Sequence, residues 1–251
     1  MKHPHLGEAD YFKIPPRVTR KELEVKLDSL GLLSYESVNR ALDSLEEQDA
    51  TDNIPLRNSG ASTLDEHIRP VTALVLEYLV FEQRKESPDF RPIPPEGAVV
   101  PLLHETFDSP LIDRTQFEKL HGQAITDMLW MLGDTAYINR MDSHLYLTMT
   151  SQARYREKTK MKFEALEGAP PIVQATCLAD KLNNTLCFYG KDYIGKNGTP
   201  TQRMRRAIDM AITIALPVAD VLSPDFFAPM LREELAYYKN KYTATFGNLK
   251  F

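Results

Sequence analysis

Three short stretches carry residue types that could do chemistry together. They are His67, the run Leu102-Leu103-His104-Glu105-Thr106-Phe107-Asp108, and the run Ala179-Asp180-Lys181-Leu182-Asn183-Asn184. Each sets imidazole, acid or amide groups beside bulky apolar residues. The imidazoles of His67 and His104 and the carboxylates of Glu105 and Asp180 can hold one divalent cation and leave room for water and a phosphate. Mixed imidazole and carboxylate donors select Mn²⁺, Fe²⁺, Zn²⁺ or Co²⁺ over Ca²⁺, which prefers oxygen alone. A cation so held lowers the pKa of water and polarises a phosphoryl oxygen, so the chemistry implied is metal-dependent phosphohydrolysis. Asp108 is then the residue to orient or deprotonate the water, and Asn184 could fix a phosphate or a ribose hydroxyl.

Taken singly, each residue has a plainer reading. A lone histidine near a helix start, such as His67, commonly caps or faces solvent. His104 and Glu105 could be a buried ion pair in an apolar segment, and Asp180 could pair with a neighbouring cation. Only the joint pattern points to a metal.

Helical periodicity dominates the elements that must position these groups, and the chain reads as all-α. Thr19 suits a cap for a helix over 21–30 that Gly31 stops. A second helix opens at Ser34 or Tyr35 with Val38, Ala41, Leu42 and Leu45 on one side. Residues 48–61 read as a loop. A long helix from Ser62 or Thr63 to about Arg84 buries Val71, Leu74, Val75, Tyr78 and Leu79. Prolines at 88, 92, 94 and 95 enforce an extended link. A short apolar helix over 97–107 follows, on which His104 and Asp108 share a face while Glu105 projects about 100° away. After a polar link come helices over 123–132 and 152–166, with 133–151 giving no clear pattern. Pro170 and Pro171 suit the first turn of a helix over 172–189. Helices over 201–222 and 224–242 follow a loop over 190–200. These divide into an N-terminal helical extension (1–56), a core (57–190) and C-terminal helices packed on it (191–251).

The bulk numbers narrow the partners. The 251 residues are 43% hydrophobic, enough for one large core. The net charge of −5 argues against a general binder of nucleic-acid polymers, although Arg154, Arg156, Lys158, Lys160 and Lys162 form a dense cationic cluster. That cluster reads most simply as a solvated helix face. The longest apolar run, about 210–221, is shorter than the roughly 20 residues of a membrane span. The first residues hold no apolar signal core, so a cytoplasmic location is expected. Cys177 and Cys187 are too few for a cysteine-rich zinc site, and in one helix they would stand about 15 Å apart, too far for a disulfide.

The joint pattern resembles the HD superfamily of metal-dependent phosphohydrolases, and within it the hydrolase domain of RelA/SpoT proteins and the small alarmone hydrolases. Arg57-Asn58-Ser59-Gly60 followed by His67 is similar to that family's Arg-x-Ser-Gly segment before its first metal histidine. Leu102-Leu103-His104-Glu105-Thr106-Phe107-Asp108-Ser109 is similar to its Leu-Leu-His-Asp-x-x-Glu-Asp. His121-Gly122-Gln123-Ala124-Ile125 resembles its Phe-Gly-x-x-Val, Tyr155-Arg156-Glu157-Lys158 resembles its basic helix, and Ala179-Asp180-Lys181-Leu182-Asn183-Asn184 its Ala-Asp-Lys/Arg-Leu-x-Asn. The likeness spans about half the chain. It implies a helical HD bundle that binds one divalent ion, Mn²⁺ first and Co²⁺, Fe²⁺, Zn²⁺ or Mg²⁺ as alternatives, through His67, His104, Glu105 and Asp180. Asp108, with Glu105 beside it, would be catalytic, and Arg57, Ser59, Asn184 and Lys158 would contact a nucleotide. The implied reaction removes the 3′-pyrophosphate of (p)ppGpp or a related nucleotide. The other readings are a (deoxy)nucleoside 5′-monophosphatase or dNTP triphosphohydrolase of the superfamily, and a non-catalytic nucleotide-binding relative. In this chain Glu105 stands where the family has Asp, Asp108 where it has Glu, and Ser109 where it has a second acid. A small-molecule nucleotide is the expected partner, without a membrane; a homo-oligomer is left open.

Overall fold

Thr19 begins the first helix as its sequence suggests: its side chain accepts from the Glu22 backbone N–H while Glu22 reaches back to the Thr19 N–H. The resulting α1 (Arg20–Ser29) ends before Gly31, whose φ of 71° is a backbone conformation open mainly to glycine. The computed structural model describes residues 17–50, 62–86, 91–108, 111–141, 147–186, 193–195 and 198–251. Arg57, Ser59, Ser109 and Cys187 lie outside them.

The fold is all-α, with no named strand among the described residues; Ile194 and Pro200 form one isolated bridge. The chain continues through α2 (Glu36–Ala50), α3 (Arg69–Glu86), α4 (Glu96–Leu102), α5 (Arg114–His121), α6 (Gln123–Leu132) and α7 (Asp134–Ile138). Then come α8 (Ser151–Glu164), α9 (Pro171–Leu186), α10 (Gln202–Met210), α11 (Leu216–Leu222), α12 (Phe227–Lys241) and α13 (Thr243–Phe246). Two π-turns, Leu64–Ile68 before α3 and Ala211–Ala215 between α10 and α11, widen otherwise continuous helices.

Helix α9 is the axis of the molecule, lying against α3, α4, α6 and α12. Pro171 occupies its first position, where a missing N–H costs nothing. Val173, Leu178, Ala179 and Leu182 are buried along it. The expected stripe of α2, Val38, Ala41, Leu42 and Leu45, is buried, and so is that of α3 except for Leu79, which is half-buried. One apolar cluster runs from Leu23 in α1 to Phe246 in α13, so the terminal helices share the core of the middle segment. Among the described residues no helix is long and apolar enough to cross a membrane.

Three expectations need correction. The expected helix over 97–107 stops at Leu102: residues 103–105 form a turn, and Thr106–Asp108 a single 3₁₀ turn. His104 and Asp108 therefore do not share an α-helical face. The expected loop over 48–61 is helical as far as Ala50. The polar link before residue 123 contains α5, whose start is capped by the Asp113 side chain. Helix α5 buries none of its residues, so no apolar stripe announces it.

Candidate metal centre

His67 lies in the π-turn Leu64–Ile68, and its side chain is 1% exposed. Such widened turns recur at functional sites, because an inserted residue re-aims the side chains around it. The His67 ring lies with Nδ1 2.7 Å from Asn183 Oδ1. An amide oxygen only accepts, so the hydrogen is on Nδ1 and Nε2 turns inward. His104 is fixed in the same way, with Nδ1 donating to the Pro101 carbonyl at 2.7 Å. Both Nε2 atoms thus face each other, 3.2 Å apart. Two lone pairs at that distance repel unless a proton or a cation lies between them.

Carboxylates surround this point. Glu105 Oε1 is 3.0 Å and Asp180 Oδ1 3.3 Å from His67 Nε2, and Asp180 Oδ1 is 3.9 Å from His104 Nε2. His67, His104 and Asp180 each offer one ligand atom, all within 4.8 Å of one another. Adjacent ligands on a cation with bonds near ~2.1 Å stand ~3 Å apart, so the spacing of the two imidazoles suits a single ion. Glu105 joins this group through His67. The turn after Leu102 aims Glu105 at His67 Nε2, but the expected fourth ligand is not part of the three-residue group of His67, His104 and Asp180. A buried His-His-Asp group that could hold a metal ion is therefore present, and its donors fit a divalent cation of imidazole and carboxylate preference.

Protonation of one imidazole offsets part of the charge of the two carboxylates. Burial works against a charge on His67, but hydrogen bonds and attraction from Asp180 and Glu105 outweigh it and raise its pKa to about 10. His104 is pushed the other way, by burial first and then by the charge on His67. Burial works against ionisation of Glu105 and Asp180 too, but His67 holds Glu105 down to about 2 and Asp180 lower still.

Beside this group lies a cavity of about 170 Å³ lined by His104, Glu105, Asp108, Asp134, Tyr155, Lys158, Lys162, Asp180 and Asn184. Asp108 accepts from the Asp134 backbone N–H at 2.9 Å. The residue is exposed at the cavity's edge, yet partial loss of water around its carboxylate raises its pKa to about 7. The charges of Asp134 and Glu105 add to this, while Lys162 and the Asp134 N–H oppose it. Gly133 makes this corner: a Cβ there would meet the Phe107 carbonyl oxygen at 2.7 Å, so only glycine lets the start of α7 close on Asp108. Asn184 lines the cavity and donates to Asp180 Oδ1 at 2.6 Å. Lys158 pairs with Asp134 and lies over the Tyr155 ring.

Sequence reasoning missed two contributors. Asn183 sets the His67 tautomer; its only signal was its place three residues after Asp180 on one helix. Lys162, one turn beyond Lys158 on α8, was read with the solvated cluster yet faces the cavity. Burial opposes its charge, but Cys177, Asp108, Asp180 and Asp134 keep its pKa raised. Arg156 and Lys160 on that helix are exposed, Arg156 paired to Asp209 and Lys160 to Glu164.

Tyr155 also walls a second cavity of about 470 Å³, lined with Tyr193, Arg203, Arg206 and Met210. Arg203 lies over the Tyr193 ring, and Arg206 Nε is buried with no hydrogen-bond partner among the described residues. No protein family matches the chain, and neither a curated protein nor a solved structure is found to be similar to it.

Proposed function

We propose that the chain is a divalent-metal-dependent nucleotide phosphohydrolase of the HD type, acting on (p)ppGpp or a related pyrophosphorylated nucleotide. The observation that carries this reading is the pair of inward Nε2 atoms, 3.2 Å apart and flanked by Asp180 and Glu105. His67, His104 and Asp180 would hold the ion, with Glu105 alongside and Mn²⁺ the first choice. The ion supplies Lewis acidity toward a phosphoryl oxygen and toward water.

The remaining roles belong to the chain's own groups. Asp108, with a pKa near 7, is matched to taking and returning a proton at neutral pH. Lys162 places a half-buried positive charge in the same cavity, where negative charge would build on a phosphoryl group. Tyr155 offers a ring between the two cavities. Arg203 and Arg206 offer charge for a second anionic group, which favours a substrate with phosphates at two positions over a simple monophosphate.

The test is phosphate and pyrophosphate release with Mn²⁺ from ppGpp, deoxynucleoside monophosphates and dNTPs. Pyrophosphate from ppGpp supports the reading, and orthophosphate from monophosphates alone replaces it with a 5′-nucleotidase. Tight binding without turnover under several metals makes the chain a non-catalytic relative. Asp108→Asn should retain Mn²⁺ and lose roughly 10²- to 10⁴-fold in rate; a near-normal rate removes Asp108 from the reaction.

A further inference from the structure

The π-turn that aims His67 is tied down on both sides by ion pairs reaching back to the N-terminal segment. Arg69, two residues after His67, has a side chain 8% exposed and spans Asp65 of the π-turn and Glu46 of α2. Glu66, immediately before His67, is fully buried at 0% and receives Arg17 at 2.9 Å. The backbone N–H of Val18 donates to the Asp65 carbonyl at 2.9 Å, closing the same junction. Residues at −2, −1 and +2 from His67 are thus each anchored to the chain before α1 or to α2.

These anchors matter because a π-turn is the less favoured way to wind this segment. Closing it to an ordinary α-turn removes one residue from the turn and rotates the preceding side chains by about 100°. Glu66 would then leave Arg17, and Arg69 could not span Asp65 and Glu46 together. A charge as buried as that of Glu66 is costly without its partner, so the pairs favour the wide turn.

We infer that Arg17–Glu66 and Arg69–Glu46 are positioning pairs that hold the π-turn in the shape presenting His67 Nε2 to its neighbours, making the N-terminal hairpin part of the metal site's support. This rests on the metal reading above. It assigns the hairpin a role that packing alone does not require: α1 and α2 bury apolar faces on α3 and α4 in any case.

The test titrates wild-type protein, Glu46→Gln, Glu46→Asp and Arg17→Gln with Mn²⁺, following free Mn²⁺ by electron paramagnetic resonance. Thermal unfolding is measured with and without the ion. Glu46→Gln is close in shape and lies on a half-exposed side chain, so it should fold even if Arg17→Gln does not. Its Mn²⁺ Kd should rise about 10-fold, the size of effect seen when groups behind a metal ligand are altered. The Mn²⁺-induced gain in Tm should shrink, and Glu46→Asp should recover part of the affinity. Variants that melt earlier yet bind Mn²⁺ as the wild type does overturn the inference and leave only a structural role. A wild-type chain that binds no Mn²⁺ removes the metal reading itself, and this inference with it.

Discussion

Metal uptake by this cluster should release one proton and no more. The inward Nε2 of His67 carries a proton with a pKa of about 10, whereas burial and that charge keep His104 neutral. A cation needs both Nε2 lone pairs, so it must displace the His67 proton and find the His104 atom already bare. Between pH 6.5 and 8.0 the apparent Kd should fall about tenfold per pH unit, about 1.4 kcal/mol each, or roughly 30-fold across the window. Isothermal titration in two buffers of different ionisation enthalpy counts the protons directly. A flat affinity with no proton released refutes the assignment of charge to His67, and two protons released refute the neutral His104. The same pair sets a stability trend in the metal-free chain. The folded pKa of His67 lies above its unfolded value of about 6.5, so the stabilisation is complete below that pH. It disappears as the pH climbs through about 10.

Two further substitutions probe the support around the cluster. Asn183→Leu keeps the volume but removes the oxygen that fixes the His67 tautomer, and should weaken Mn²⁺ binding by roughly 10- to 100-fold; unchanged affinity in a titration shows that the ring holds its orientation without the amide. Gly133→Ala forces a methyl group into the Phe107 backbone and should destabilise by about 1–3 kcal/mol in urea unfolding. If its midpoint matches that of the wild type, Gly133 lies less tightly against the Phe107 backbone than the 2.7 Å approach of a Cβ implies.

Local signals in the sequence were enough where one helix decides the outcome. The Thr19–Glu22 box, the stripe of α2 and the proline start of α9 are each written within a few residues. The residue types that could hold an ion were legible too, and the fold gathers His67, His104 and Asp180, while Glu105 meets only the His67 side of that group. The stop of α4 at Leu102 was not read from the sequence: Leu103 and Phe107 offer further apolar positions, although Pro101 inside the helix already signals a break, and the His104 ring bonds the Pro101 carbonyl there. The tautomer of His67 depends on Asn183, 116 residues away, which no window of sequence shows. Lys162 differs from Arg156 and Lys160 only in lying on the side of α8 that lines the cavity, and composition treats all three alike.

The hydrogen ion trapped at residue 67 has a consequence for handling the protein. A proton there would offset part of the charge of the two acids without a metal, so the fold is expected to stand with the cluster empty. Chelation should strip such a chain while leaving its circular dichroism intact, unlike small zinc modules that unravel when their metal is removed. Loading an ion would then be an exchange of one cation for another inside a finished scaffold, and a single preparation should accept different ions in turn.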